Sequence, residues 1–394
     1  MAQLGAYPGP GCEARTKYEK VSFVSAALTV VDPAEVITTL ELSDIVIGSG
    51  RDGRFSGRSG GLTIGVGAGE MVALSGPPGF GGTTLARVIA GHLAPLSGQI
   101  KVDGRDFTAA AAAARPVGFV PVDGGLLPQL TLAENITYGP RLADDANEIM
   151  RHRLERLVKR LELLPSLALR PYEVSAGQRI RAALARVAMR RVPSQVLVLD
   201  ATAGARGVTG VRRLITRVWG EPATVAVLLL TCDSEVAEQA DRLIWVEDGR
   251  CAVDGTITSL RVAPPSLAIA ELVVAGPLAK VTAVVRDGEA DLGGLKLPLL
   301  CPDGRRVTVL LRAESLEIVP HPDEEPTARV LTASWHEGAV QMVVEPFERP
   351  GDRWPARSLL RRHPRPHDRV VLRLRQDRVL VFDAETETPV GAKA

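Results

Sequence analysis

The chain has 394 residues, with 47 Lys plus Arg against 46 Asp plus Glu and a formal net charge of +1. That balance excludes a polybasic nucleic-acid coat and an acidic disordered tail. A composition of 45% hydrophobic and 24% charged residues fits a globular chain with a sizeable core and room for two or three domains.

From the N-terminus, residues 1 to 34 read as a loosely ordered arm with charges of both signs up to Glu19 and no signal-peptide pattern. Met71 to Ser75 reads as a buried strand, followed by a Gly-rich turn and a helix from about Thr83 to Gly91. Ala109 to Ala114 is an alanine tract, read as a surface insertion with no chemistry. Val117 to Val120, Val196 to Leu199 and Val225 to Leu230 are short apolar runs suited to central parallel strands. Between them, Ile149 to Leu164 spaces Met150, Leu154, Leu157, Leu161 and Leu164 as one face of an amphipathic helix. Near Pro264 and Pro265 this alternation gives way to turn-rich segments, where Val307 to Leu311, Val340 to Val344 and Val370 to Leu374 read as strands of a small β module. The longest apolar stretches, Val21 to Val31 and Ala223 to Thr231, fall short of the roughly 20 residues a membrane span needs. Cys12, Cys232, Cys251 and Cys301 form no CxxC pair, which points to a reducing compartment rather than a zinc site or a disulfide scaffold. The arginine-rich stretch Arg353 to Arg369 reads as a solvated loop, and no nucleic-acid partner is expected.

The segment with chemistry in it is Gly76-Pro77-Pro78-Gly79-Phe80-Gly81-Gly82-Thr83-Thr84, which has the spacing of a P-loop with Gly82 where lysine belongs. Backbone N–H groups from Gly79 to Thr84 can still form an anion nest at a helix N-terminus, because that needs only permissive glycines and the helix dipole. The contribution of a lysine to the β- and γ-phosphates is missing, and no register shift restores it, since no Lys occurs between Lys20 and Lys101.

Further motifs follow in a fixed order. Val174-Ser175-Ala176-Gly177-Gln178 resembles the LSGGQ signature of ABC transporter ATP-binding subunits, and Val196 to Asp200 resembles their Walker B strand. Leu230-Thr231-Cys232-Asp233 is similar to the switch segment, and Val117 to Val120 with Leu126 to Asn135 to the Q-loop region. Glu247-Asp248-Gly249-Arg250 resembles the final hairpin. The chain thus resembles that family over about residues 40 to 260. Leu311 to Glu314, Trp335 to Gly338 and Val381 to Thr386 resemble elements of a TOBE-type OB-like module and of the sugar-importer ATPases.

The resemblance implies an α/β P-loop NTPase domain of ABC type, with a mixed sheet and a helical subdomain, followed by a small all-β OB-like domain. The boundaries expected are 35–264 for the nucleotide-binding domain, about 123–195 for its helical subdomain, and 265–394 for the TOBE/OB-like regulatory domain. It implies nucleotide contacts at Gly76, Gly79, Gly81, Gly82, Thr83 and Thr84, signature contacts at Ser175, Gly177 and Gln178, and Mg²⁺ at Thr83 and Asp200. Adenine stacking would fall near Gly53, with Phe55 the nearest aromatic residue. The family's lysine, Q-loop glutamine, general base and switch histidine are here Gly82, Val122, Ala201 and Cys232, and the D-loop reads Gly204-Ala205-Arg206-Gly207. No Asp or Glu between Asp200 and Glu221 can replace the base, and no His lies between His152 and His321. No catalytic residue is therefore assigned.

The reading that follows is a degenerate subunit of a carbohydrate-class importer, peripheral on the cytoplasmic face of the membrane, with weak or no binding of ATP and Mg²⁺. Its partners would be membrane permease subunits, a second ATP-binding subunit in a hetero- or homodimer and, indirectly, an extracytoplasmic solute-binding protein. The alternatives are an active but non-consensus ATPase and a nucleotide-independent scaffold.

Overall fold

The computed structural model describes residues 38–48, 61–142, 148–190, 192–202, 210–220, 224–274, 276–319, 325–336, 339–358 and 364–391. The expected N-terminal arm, Phe55 and the Gly204–Gly207 segment lie outside the described residues.

The first half of the α/β part contains β1 (Thr38–Val46), β2 (Leu62–Gly67), β3 (Met71–Ser75), α1 (Gly82–Ile89), β4 (Ser97–Val102), β5 (Arg105–Asp106) and β6 (Val117–Val120). Three helices follow, α2 (Leu132–Leu142), α3 (Glu148–Arg160) and α4 (Ala176–Ala188). The second half adds β7 (Val196–Ala201), α5 (Val211–Trp219), β8 (Ala226–Thr231), α6 (Ser234–Ala237), β9 (Arg242–Glu247), β10 (Arg250–Thr256), α7 (Ile257–Val262) and α8 (Leu267–Val273).

The central sheet runs β10-β9-β3-β8-β7-β6, with only the β9–β10 hairpin antiparallel. Every residue of β3, β7 and β8 is buried, which is why these strands read as unbroken apolar runs rather than alternating ones. A second sheet, β2-β1-β4-β5, is antiparallel and closes one core with α1. The helices α2 to α4 form their own apolar cluster around Leu132, Ile136, Leu161 and Ala185. The amphipathic helix ends at Arg160, four residues before the predicted Leu164, because the chain turns through Glu162 at φ 55°. Leu164 is consequently exposed.

Two guanidinium groups, one buried and one half-buried, tie this part together. Arg115, 2% exposed, donates to the carbonyl oxygens of Val88 and Ile89 at 2.9 Å, capping the C-terminal end of α1, and to those of Thr108 and Ala110. Arg190 donates to the carbonyls of Val117, Ala112 and Arg115. The alanine tract lies at the surface as expected, with the carbonyls of Ala110 and Ala112 held by these two arginines.

Pro264 and Pro265 end α7 and precede Ser266, the N-cap of α8, positions where a missing N–H costs no helical hydrogen bond. The all-β part begins at Leu278. It contains a five-stranded antiparallel sheet, in which Leu278–Arg286 pairs with Arg306–Arg312 and the latter with Leu380–Asp383. A closed five-stranded barrel is built from Leu316–Val319, Trp354–Ser358, Ala339–Pro346, Ala328–His336 and Arg369–Leu374. The three strands predicted here from apolar runs all form. One cluster including Val309, Val344, Trp354 and Leu372 fills both sheets. The architecture is therefore an ABC-type P-loop fold followed by a small OB-like barrel. Leu267 and Ala270 of α8 pack on Leu310 and Phe382, joining the two parts.

Asp383 holds the end of the closing strand. Its Oδ1 accepts the backbone N–H of Thr386 at 2.8 Å and of Glu385 at 2.9 Å, and its Oδ2 accepts from Arg305. The Thr386 N–H first, then Arg305, hold its carboxyl far below the usual carboxylate range. A depressed folded-state value stabilises above the unfolded value of about 3.9 and is lost as pH falls through the folded one. Asp383→Asn is therefore expected to be less stable than the parent at pH 7, with the gap narrowing below about pH 4. Urea midpoints across that range check it.

Candidate functional site

The site lies at the C-terminal edge of the central sheet, where open α/β folds place ligands. β3 delivers Ser75 and then the loop, β7 delivers Asp200 and Ala201, and β8, between them, delivers Thr231 and Cys232; Asp200 and Ala201 are in register with Leu230 and Thr231. Gly79 and Gly81 take φ 87° and 88°, the left-handed region that only glycine enters without strain. Gly81 is the N-cap of α1 and no side chain caps that helix, which suits its first turn to an anion. Gly76 is closed against the carbonyl of Val246, Thr83 and Thr84 are half-buried on the first turn of α1, and the Phe80 ring lies beside Gly82. The predicted cradle residues are thus brought together, while Arg87 is exposed on the far side of α1.

Thr83 and Asp200 meet through a residue the sequence reading passed over. The Thr83 and Thr202 hydroxyls are 3.1 Å apart, and Asp200 Oδ1 accepts from the Thr202 hydroxyl at 2.7 Å and its N–H at 3.1 Å. Asp200 is 4% exposed, and its Oδ2 is buried with no hydrogen-bond partner. A buried carboxylate oxygen without a donor beside a hydroxyl is a donor set suited to Mg²⁺, which binds through one or two protein oxygens and completes its shell with phosphate and water. The residues present therefore fit the ion. The hydroxyl directly after Ala201 was the available signal for Thr202. Among the described residues no group of three or more His, Cys, Asp or Glu gathers as a metal site.

The groups around this pair are chemically quiet. Ala201 is 2% exposed and ends β7; a methyl group there takes no proton. Cys232 borders the same edge, and burial first, opposed by the Ser75 hydroxyl and reinforced by Asp200, pushes its thiol up, leaving it a neutral thiol at pH 7. Val122 is exposed. A cleft of about 530 Å³ beside the loop is lined by Ser75, Gly76, Pro77, Cys232, Trp245 and, from the all-β part, Glu387.

The sequence matches the ABC transporter family over residues 60–203. It is 37% identical over 238 residues to the sulfate/thiosulfate import ATP-binding protein CysA of Caulobacter vibrioides, covering 58% of this chain and 69% of that one. Identity is 31% over 274 residues with the Fe(3+) ions import ATP-binding protein FbpC of Streptomyces coelicolor, covering 68% and 77%. It is 29% over 296 residues with the spermidine/putrescine import ATP-binding protein PotA of Acidothermus cellulolyticus, covering 72% and 75%. The chain belongs to the ATP-binding subunits of ABC transporters.

In this ABC subunit the signature stands at the start of α4, apart from the loop. Ser175 is the N-cap: its Oγ accepts the Gln178 N–H at 3.2 Å while Gln178 Oε1 accepts the Ser175 N–H at 2.9 Å, a reciprocal capping box. Gln178 Nε2 donates to Ser166 at 2.7 Å, so both ends of its amide are engaged in holding the helix start. Ser175 is exposed, and a Cβ at Gly177 would meet nothing within 4 Å. The start of α4 thus presents an open, outward-facing edge at Ser175 and Gly177. Arg186, lower on α4, donates to the carbonyls of Gly124 and Gly125 and ties this helix to the Q-loop segment. No helix among the described residues is long and apolar enough to cross a membrane.

Proposed function

We propose that this ABC subunit serves an importer as a non-hydrolysing partner: it holds nucleotide weakly in its own loop and lends its outward-facing signature to a second, hydrolysing ATP-binding subunit. The observation that carries the reading is Ala201, a buried methyl group at the place beside Asp200 where the resemblance puts the general base. Loss of a positioned base costs about 10² to 10⁴ in rate, and loss of preorganised charge on the phosphoryl group costs more, without simple additivity. Within the site, Thr83 and Asp200 would hold Mg²⁺, which neutralises phosphate charge, while the N–H groups of Gly79 to Thr84 orient the phosphates.

The proposed assembly places the chain on the cytoplasmic face of the membrane, against permease subunits fed by an extracytoplasmic solute-binding protein. Residues 35–264 would form the nucleotide-binding domain and 265–394 a TOBE-type regulatory domain. For the solute, the names of the relatives support an inorganic ion or polyamine over the carbohydrate class that the C-terminal resemblance suggested.

The test is phosphate release from MgATP by the purified chain, with thermal stability measured alongside. No release, together with a stabilisation by millimolar MgATP of up to about 2.7 kcal/mol at 100 times the dissociation constant, is expected. Turnover at an ordinary family rate would mean an active, non-consensus ATPase, and no thermal shift would mean a nucleotide-independent scaffold.

A further inference from the structure

We infer that the Phe80 ring occupies the place of the missing lysine side chain, so that the loop grips phosphates through backbone N–H groups alone and takes nucleoside di- and triphosphates alike. This rests on the reading that the loop is a nucleotide site and goes further, in naming the residue that sets which nucleotide it prefers.

A Cβ at position 82 would lie 2.6 Å from Phe80 Cζ and 3.1 and 3.2 Å from its two Cε atoms. Carbon atoms in contact sit about 3.5 to 4.0 Å apart, so the far edge of the ring stands where any side chain on residue 82 must begin. The near end of the ring is braced. A Cβ at Gly76 would lie 2.7 and 2.8 Å from Phe80 Cβ and Cγ, and 2.4 Å from the Val246 carbonyl oxygen. The Phe80 N–H bonds the Pro77 carbonyl at 3.0 Å, and the ring packs on the cluster containing Leu74, Leu85 and Val246. The Phe80 ring thus leaves no room for a side chain at position 82 and, together with the Val246 carbonyl, none at position 76. The aromatic residue and the absent lysine are one feature of the loop, not two separate losses.

The consequence for the ligand follows from which phosphates each part of such a loop touches. The glycine backbone cradles the α- and β-phosphates, and the lysine reaches the β- and γ-phosphates. Only the first part is present here, in Gly79, Gly81 and the uncapped start of α1. With Gly82 at its place, the lysine that would reach the third phosphate is missing.

Isothermal titration of MgADP and MgATP into the parent chain, Phe80→Ser, Gly82→Lys and the double variant tests this. The parent is expected to bind the two within about threefold, Gly82→Lys alone to gain no preference, and the double variant to favour MgATP by at least about tenfold, as a restored charge-assisted contact would. Should Phe80→Ser fail to fold, Phe80→Leu, which keeps the apolar contact without the far edge of the ring, takes its place with the same expectations. A tenfold preference for MgATP in the parent, or a Gly82→Lys chain equal to the double variant, would overturn the inference. A silent parent beside a binding double variant would uphold the block by Phe80 and overturn the reading of the parent as a nucleotide subunit. Silence in all four would overturn both.

Discussion

Arg242→Ala is expected to lower the stability of the α/β part by about 3 kcal/mol, the scale for breaking a partly buried ion network by removing one partner. Arg242 opens β9, and its side chain is 18% exposed. Its Nε donates to Glu70 Oε1 at 2.7 Å, Nη1 to Asp254 Oδ1 and Oδ2 at 2.8 and 2.6 Å, and Nη2 to the Gly65 carbonyl at 2.6 Å and to Glu70 Oε2 at 3.2 Å. One guanidinium thereby joins β9 and β10 to the β2–β3 turn. Burial disfavours its charge, but the bonds to Glu70 and Asp254 outweigh that and hold the group firmly cationic. Truncation strands Glu70, itself largely buried, with only the Gly67 N–H at 2.8 Å. Arg242→Lys is expected to recover part of the loss, because an ammonium keeps the charge but lacks the planar fork. Calorimetry, reading the transition of the α/β part separately from that of the barrel, measures the difference; equal midpoints for parent and Arg242→Ala would refute it.

Asp200→Asn is expected to abolish the Mg²⁺ dependence of nucleotide binding, a loss of at least about 100-fold where outer partners of a metal site already cost 10- to 100-fold, while leaving the fold in place. The asparagine carbonyl oxygen still accepts from the Thr202 N–H and hydroxyl, replacing what Oδ1 does now. What changes is Oδ2, the buried oxygen without a donor, which becomes an amide nitrogen unable to bind a cation. The readout is MgADP affinity with and without a chelator. An unaltered chelator effect in the variant would show that the ion is held elsewhere.

The strands flanking the site were legible because β3, β7 and β8 are covered on both faces and carry unbroken apolar runs. The turn of the last hairpin was equally visible in Asp248 and Gly249, which take φ 48° and 73°, as a tight two-residue connection requires. The antiparallel sheet of β1, β2, β4 and β5 escaped the reading. Its strands mix polar and apolar residues around register shifts at Ser43/Val46 and Leu42/Ile45, which break the alternation a pattern search needs. At the site, glycine spacing located the loop but gave Phe80 no role, because spacing says nothing about which way a ring turns. Arg115 and Arg190 were invisible for another reason: their partners are carbonyl oxygens, which every residue has, so no acidic residue in the sequence marks them.

That choice of partners has a consequence for how the molecule comes apart. Arg115, Arg186 and Arg190 are anchored by carbonyl oxygens alone in the bonds described above, and burial lowers the proton affinity of each without bringing it near neutrality. Peptide oxygens do not titrate, whereas the clasp at Asp383 depends on a carboxylate that does. The seam from α1 through the alanine tract to α4 is thus fastened by contacts with no pH dependence of their own, while falling pH works against the hold on the closing strand.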